Sequence, residues 1–143
     1  MKYIELFAGC GGLSVGLESL KYELVFANEL SPMASETFAY NLLKEDLRYL
    51  ADNQKTASRV KWISSRYDSN NLAARLRENP QNYPKYSSTT SELNNHLDDL
   101  YGKLIVGSIV ELNRYLTINK NIVVDLQNQN IDLVSGGPPC QSF

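Results

Sequence analysis

The sequence predicts an α/β domain on a partial doubly wound, Rossmann-like parallel sheet that carries a mainly helical insertion. Three observations lead there. Short apolar segments alternate with stretches whose apolar residues recur at helical spacing. The first apolar segment runs straight into a glycine-rich turn, Ala8-Gly9-Cys10-Gly11-Gly12, that opens a helix. The residues of chemical interest fall at the ends of the expected strands, where open parallel sheets bind their ligands.

Tyr3 to Phe7 reads as a short buried strand. Beyond the glycine turn, Leu13, Leu17 and Leu20 share a face at i, i+4 and i+7, which predicts a helix. Leu24 to Ala27 is the second strand, closed by Asn28-Glu29. Ser31 suits an N-cap and Pro32 the first helical position, so a helix is expected from there to about Tyr49, carrying Phe38, Leu42 and Leu47. From about Ala51 to Leu100 the chain is polar, rich in Asn and Ser, and punctuated by Pro80 and Pro84. Two short helices are expected there. One spans about Asn71 to Glu78, with Leu72 and Leu76 on one side; the other opens with the capping box Thr89-x-x-Glu92 and carries Leu93, Leu97 and Leu100. Large apolar residues are too few for a second core, so the segment is an insertion, anchored by the only tryptophan, Trp62. Lys103 to Val106 is the third strand, stopping at Gly107-Ser108, and Ser108-x-x-Glu111 is a further capping box for a short helix. Ile131 to Ser135 is the last strand, leading into Gly136-Gly137-Pro138-Pro139-Cys140-Gln141-Ser142-Phe143.

Composition narrows the function classes. At 143 residues, 43% hydrophobic and 21% charged, the chain makes one globular domain with one core. No apolar run approaches a membrane span and the start lacks a signal peptide's apolar stretch, so a cytoplasmic protein without a membrane partner is expected. Two cysteines far apart and one histidine, His96 on a presumed surface helix, are too few for a zinc cluster; no metal is expected. The formal net charge of −2 gives no basic footprint of the kind that grips a phosphate backbone, so a nucleic-acid substrate would be held mostly by other parts.

Three features carry chemistry. A strand entering a helix through glycines leaves backbone N–H groups open and lets a ligand approach the main chain, although the spacing is neither G-x-G-x-x-G nor a P-loop; a tight turn without a ligand is the other reading. Glu29 ends the second strand about twenty residues after that turn. It can accept hydrogen bonds from both hydroxyls of an adenosine ribose, or it is a surface glutamate favoured by a helix N-terminus. Gly-Gly-Pro-Pro-Cys sets a thiol just past a strand on a backbone stiffened by two prolines; Cys140 is a nucleophile there if its surroundings favour the thiolate, and otherwise an incidental cysteine in a proline loop. Ser108 reads first as a helix N-cap, and Cys10 as a small apolar filler.

Together these segments resemble the cytosine-C5 methyltransferases. Glu5-Leu6-Phe7-Ala8-Gly9-Cys10-Gly11-Gly12-Leu13-Ser14-x-Gly16 resembles the family's first motif, Asn28-Glu29 with Ala34 and Asn41 the second, and Gly107-Ser108-Ile109 falls where the third is expected. Asp132-Leu133-Val134-x-Gly136-Gly137-Pro138-Pro139-Cys140-Gln141-Ser142-Phe143 resembles the fourth, which holds the catalytic cysteine. The match covers about half of the chain and leaves the insertion outside it. The resemblance implies the fold of the S-adenosylmethionine-dependent methyltransferases, that compound as cofactor, and DNA as partner. Phe7, Ala8, Gly9, Cys10, Gly11 and Gly12 would line the methionine moiety, Glu29 would hold the ribose, and Leu30, Ser108, Ile109 and Pro138 complete the cofactor site. Pro139, Gln141 and Ser142 would contact the substrate base. The thiolate of Cys140 would add to C6 of a flipped cytosine and so activate C5 for methylation.

Two departures stand out. The third motif usually offers an aspartate to the adenine amino group, which Ser108 cannot replace in charge, and Glu5 stands where Asp is more frequent. The family's later Glu-Asn-Val and arginine motifs and its target-recognition domain do not occur in the chain. An isolated chain is therefore expected to be inactive, as a truncated piece, a disrupted gene product or one subunit of a split enzyme. Its last strand is expected to be an open sheet edge, inviting self-association or a complementing C-terminal subunit. A restriction–modification DNA enzyme heads the readings, followed by an RNA-directed relative and a non-catalytic cofactor-binding subunit. A dinucleotide-dependent dehydrogenase is a remote reading, because the glycine spacing is wrong and the Pro-Pro-Cys loop would go unexplained.

Overall fold

A computed structural model describes residues 1–88 and 91–139. Five parallel strands form one sheet: β1 (Lys2–Leu6), β2 (Glu23–Glu29), β3 (Val60–Trp62), β4 (Lys103–Val106) and β5 (Leu133–Gly136), in the order β3-β4-β2-β1-β5. The helices are α1 (Gly12–Ser19), α2 (Pro32–Phe38), α3 (Leu47–Asp52), α4 (Leu72–Arg75), α5 (Ile109–Ile118) and α6 (Lys120–Gln127). The expected doubly wound parallel sheet is what forms.

Handedness distributes the helices. The chain steps from β1 to β2 and on to β3, and right-handed crossovers put α1, α2 and α3 on one face, where α4 packs against α3. From β4 it returns across the sheet to β5, so α5 and α6 cover the opposite face. Two apolar layers result. Leu17, Phe38, Leu42, Leu47, Trp62 and Leu76 pack on the first face, and Phe26, Ile63, Ile105, Leu112, Tyr115 and Ile122 on the second. Central β2 is buried on both faces from Leu24 to Asn28, as a parallel strand must be.

Several local expectations are corrected. The inward face of α1 is Ser14 and Leu17; Leu13 and Leu20 are 48% and 67% exposed. A helix of two turns sitting over the edge of the core has room for one large apolar residue, not three. The helix from Pro32 does not reach Tyr49. It widens into a π-helical turn over Ala39–Leu43, which turns Ala39, Leu42 and Leu43 all inward, and then stops at Lys44 with φ 57°. Asp46 caps a fresh start, accepting from the Tyr49 N–H at 3.0 Å, and Leu47 completes the same apolar layer.

The insertion is no mere appendage. Its Val60–Trp62 segment, for which no strand was expected, is the edge of the sheet next to β4, and Trp62 is 1% exposed. The first expected short helix is reduced to α4. Thr89 lies outside the described residues, and 91–100 holds only the 3-10 turn Leu97–Asp99 instead of a helix. Glu92 is not a helix-capping residue: its carboxylate accepts from the Trp62 N–H (2.8 Å) and pairs with Arg75 (2.6 Å). Glu111 likewise does not close a capping box. It accepts from the Tyr86 N–H at 2.7 Å and so ties the insertion to α5. Helix α6 had no clear capping signal in the sequence.

At the far side, β5 pairs only with β1 and leaves its other edge open among the described residues. Gly136 is required there, because a Cβ would stand 2.4 Å from the Leu6 carbonyl oxygen. On the α5 face beside this edge, Ile4, Leu6, Phe26, Ile109, Leu116 and Val134 line an apolar groove of about 390 Å³, and Val134 is 60% exposed.

Candidate active site

The strand order reverses direction between β1 and β5, and the crevice beyond the carboxyl ends of strands at such a switch is where open α/β sheets hold ligands. Register brings the turn after β1 and the loop after β5 to that crevice, since Leu6 stands opposite Gly136. The glycine turn and the Pro138-Pro139 segment thus leave neighbouring strands on one rim. Cys140, Gln141 and Ser142, expected as nucleophile and substrate contacts, lie outside the described residues.

The glycine turn is built from left-handed backbone. Phe7, Gly9 and Gly11 have φ of 56°, 54° and 87°. Gly11 is fixed by packing as well, because a Cβ would lie 2.3 Å from Leu42 and 2.9 Å from Phe38. The Ala8 N–H donates to the Asn28 carbonyl at 3.0 Å, holding the turn against the end of β2. Cys10 is exposed at the tip. It is not the buried apolar filler that its residue type suggested, because the glycines on either side turn the chain outward.

Glu29 closes the structure of the rim. One carboxylate oxygen accepts from the Gly9 N–H at 2.8 Å and the other from the Ser31 N–H at 2.8 Å. Each oxygen keeps a further lone pair, so the group can still accept from a ligand's hydroxyls. Leu30 beside it is 45% exposed, and Ser108 and Ile109 are half-buried at the end of β4. The Ser108 hydroxyl accepts from the Val110 N–H at 3.2 Å, which is the N-cap role.

Two residues in this rim had no assigned role in the sequence reading. The buried Asn28 amide donates to the carbonyls of Ile105 (2.9 Å) and Gly107 (3.0 Å), stitching β2 to β4 below the site. Glu5, buried in the middle of β1, accepts from the Ser14 hydroxyl of α1. It is a carboxylate under the glycine turn, and its signal was an acidic residue inside an otherwise apolar strand.

Comparison with known proteins fits this geometry. Residues 1–63 match the family described as C-5 cytosine-specific DNA methylase. That match places a C-5 cytosine-specific DNA methylase domain at the N-terminus of the chain. A DNA (cytosine-5)-methyltransferase 3 of Arabidopsis thaliana is 31% identical over 98% of this chain and 8% of its own length. A Methanocaldococcus jannaschii protein named as a type II methyltransferase is 26% identical over 100% of this chain and 36% of its own. A type II methyltransferase of Fusobacterium nucleatum is 36% identical over 38% of this chain and 17% of its own. The chain therefore spans well under half of each of these relatives. No solved structure matches it. Among the described residues no helix is long and apolar enough to cross a membrane, and no three His, Cys, Asp or Glu side chains are grouped to hold a metal.

Burial gives Glu5 a testable pH signature. Desolvation raises its pKa above the ordinary 4.5, and the Ser14 hydrogen bond lowers it only in part. The folded state thus binds this proton more tightly than the unfolded chain. The resulting stabilisation is complete below about pH 4.5 and lost as pH rises through the higher folded value. Glu5→Gln keeps an acceptor for Ser14 without the charge. Its urea midpoint should match wild type in acid and exceed it increasingly toward neutral pH; a difference that stays constant with pH would refute the account.

Proposed function

We propose that this chain forms the cofactor half of a DNA cytosine-C5 methyltransferase, of the restriction–modification type, with S-adenosylmethionine as methyl donor. The observation that carries the reading is the doubly anchored Glu29 carboxylate at the rim of β1 and β2. It faces the glycine turn with lone pairs to spare. The donor set suits the cofactor. Glu29 accepts from the ribose hydroxyls. The open backbone of Phe7 to Gly12 admits the methionine part, with Cys10 at its tip. Leu30 and Ile109 offer apolar surface to the adenine, with Ser108 and Pro138 at the margins.

When bound, S-adenosylmethionine supplies an electrophilic methyl group to C5 of the base. The remaining roles fall to the chain. Cys140, by its Gly-Gly-Pro-Pro-Cys motif, adds its thiolate to C6, so the C5–C6 double bond becomes a nucleophilic C5. After a proton leaves C5 the C6–sulfur bond breaks and the thiolate returns. Pro139, Gln141 and Ser142 shape the base pocket. The names of the relatives, which specify DNA or a type II system, favour DNA over RNA.

Glu29→Gln removes the charge from two ribose hydrogen bonds. A hydrogen bond to a charged group is worth about 1.5–3 kcal/mol, so titration calorimetry should show S-adenosylmethionine affinity falling roughly tenfold to a hundredfold. Unchanged affinity would remove the main support for the reading. The nucleophile is tested by joining the chain to the C-terminal part of a type II relative. A covalent complex should form on 5-fluorocytosine DNA and vanish in Cys140→Ser; a complex that survives the substitution assigns the attack elsewhere.

The open β5 edge, with Val134 and the apolar groove beside it, is the surface for a second chain, a copy or a complementing C-terminal subunit. Light scattering should show concentration-dependent association that Val134→Lys reduces. A wild-type monomer at every micromolar concentration, unaltered by C-terminal subunit, would count against it.

A further inference from the structure

An amide at position 28 needs a reason. Asn28 is the last buried residue of β2, a central strand covered on both faces, and it is 2% exposed. Buried strands of a parallel sheet are ordinarily apolar runs, and a buried amide is unfavourable unless its hydrogen bonds are made. The Asn28 Nδ2 carries two hydrogens and meets two acceptors, the carbonyls of Ile105 at 2.9 Å and Gly107 at 3.0 Å. Ile105 is its register partner in β4, whereas Gly107 lies one residue past the end of that strand. A leucine at position 28 would fill a similar volume and leave the Gly107 carbonyl without this donor.

The second bond reaches the turn by which the chain leaves the sheet. Gly107 has φ 142°, a conformation that side chains rarely adopt, and a Cβ there would stand 2.3 Å from Ile63 Cγ2. Its N–H donates to the Glu29 carbonyl at 2.9 Å. Gly107 is thus held on three sides, by the Glu29 backbone, the Asn28 side chain and Ile63. Ser108 then caps α5 and Ile109 begins it. Two consecutive residues of β2 therefore set where α5 starts, and the second of them carries the carboxylate of the rim.

From this geometry we infer that Asn28 is a positioning residue for the adenine of the cofactor: through Gly107 it holds the start of α5 at a fixed distance from the Glu29 carboxylate. The inference rests on the ribose role of Glu29. Base and ribose are joined by a single bond, so a site that grips the ribose at the end of β2 meets the base only if the end of β4 lies at the matching distance. Binding groups keep such spacing when hydrogen bonds behind them lock it. Removing the Asn28 donors frees the Gly107 carbonyl and lets this turn relax, while the Gly9 and Ser31 N–H groups keep Glu29 in place. The grip on the base weakens and the grip on the ribose does not.

Two ligands separate these contributions: S-adenosylhomocysteine, and S-ribosylhomocysteine, which has the same ribose and amino-acid part without the base. Calorimetry on wild type gives their affinity ratio, which is the contribution of adenine. Asn28→Ala and Asn28→Asp should each lower the affinity for S-adenosylhomocysteine about tenfold and leave that for S-ribosylhomocysteine unchanged, whereas Glu29→Gln lowers both. A residue needed merely for the fold would lower both alike. Circular dichroism checks that the variants fold.

A second measurement needs no variant. In wild type, hydrogen exchange at residues 107–110 should slow with S-adenosylhomocysteine and not with S-ribosylhomocysteine; equal protection by both places the base elsewhere and overturns the inference. Equal losses for the two compounds in the Asn28 variants, or no loss, overturn it as well. If Glu29→Gln still weakens both compounds in that case, the ribose reading stands. Should wild type bind neither compound, both readings fall.

Discussion

The whole rim depends on one carboxylate. Glu29 belongs to β2, yet its oxygens are held by the N–H of Gly9 in the turn after β1 and by that of Ser31 at the head of α2. A carboxylate can accept from both donors at once, one on each oxygen. In return it fixes the distance between the ends of two strands and the path of the turn between β1 and α1. Without it, a turn with left-handed backbone at Phe7, Gly9 and Gly11 would have no polar tether to β2 beyond the Ala8 bond to Asn28.

That tether works because the strands are parallel and in register. Leu6 stands opposite both Asn28 and Gly136, so three chain segments reach the same level at the switch point. The buried Asn28 amide extends the level to β4 by bridging Ile105 and Gly107. Below it, Glu5 and Ser14 join β1 to α1 inside the apolar layer. Burying a carboxylate is unfavourable unless it is hydrogen-bonded, and this one is bonded to the helix that the glycine turn must aim. Polar stitching therefore runs directly under the site while apolar packing forms the rest of the core.

What the sequence made legible follows the strength of each local signal. Strands β1, β2, β4 and β5 were readable because buried parallel strands are short apolar runs bounded by glycine or polar residues. The position of Glu29 at the rim, beside the glycine turn, was readable from its place at a strand end. Val60–Trp62 was not, since three residues in a polar segment carry no period, and only pairing with β4 makes them a strand. Ser108 does cap α5 as its pattern suggested, but the glutamates of the two capping-box patterns misled for a related reason. Glu92 and Glu111 have stronger partners in Arg75 and the Trp62 and Tyr86 backbone, and tertiary contacts outweigh a local capping bond. The leucines of α1 misled because helical spacing identifies a face without saying whether anything covers it.

The insertion shows how a segment poor in apolar residues can still be integral. Its largest anchor, Trp62, is surrounded by an ion pair and a cation over the ring, the Trp62 N–H donates to the Glu92 carboxylate, and the Glu92 N–H donates to the Trp62 carbonyl. An unsatisfied buried polar group costs about 1–3 kcal/mol, so Trp62 Nε1, Ser64 Oγ, Arg75 Nη2 and the Tyr83 hydroxyl weigh against folding. A segment needed only to close the sheet edge could have filled these places with aliphatic side chains. Trp62 ends β3 and Ser64 follows it, while Arg75 reaches the Trp62 ring from α4, so the unpaired groups gather around the strand that only pairing with β4 creates.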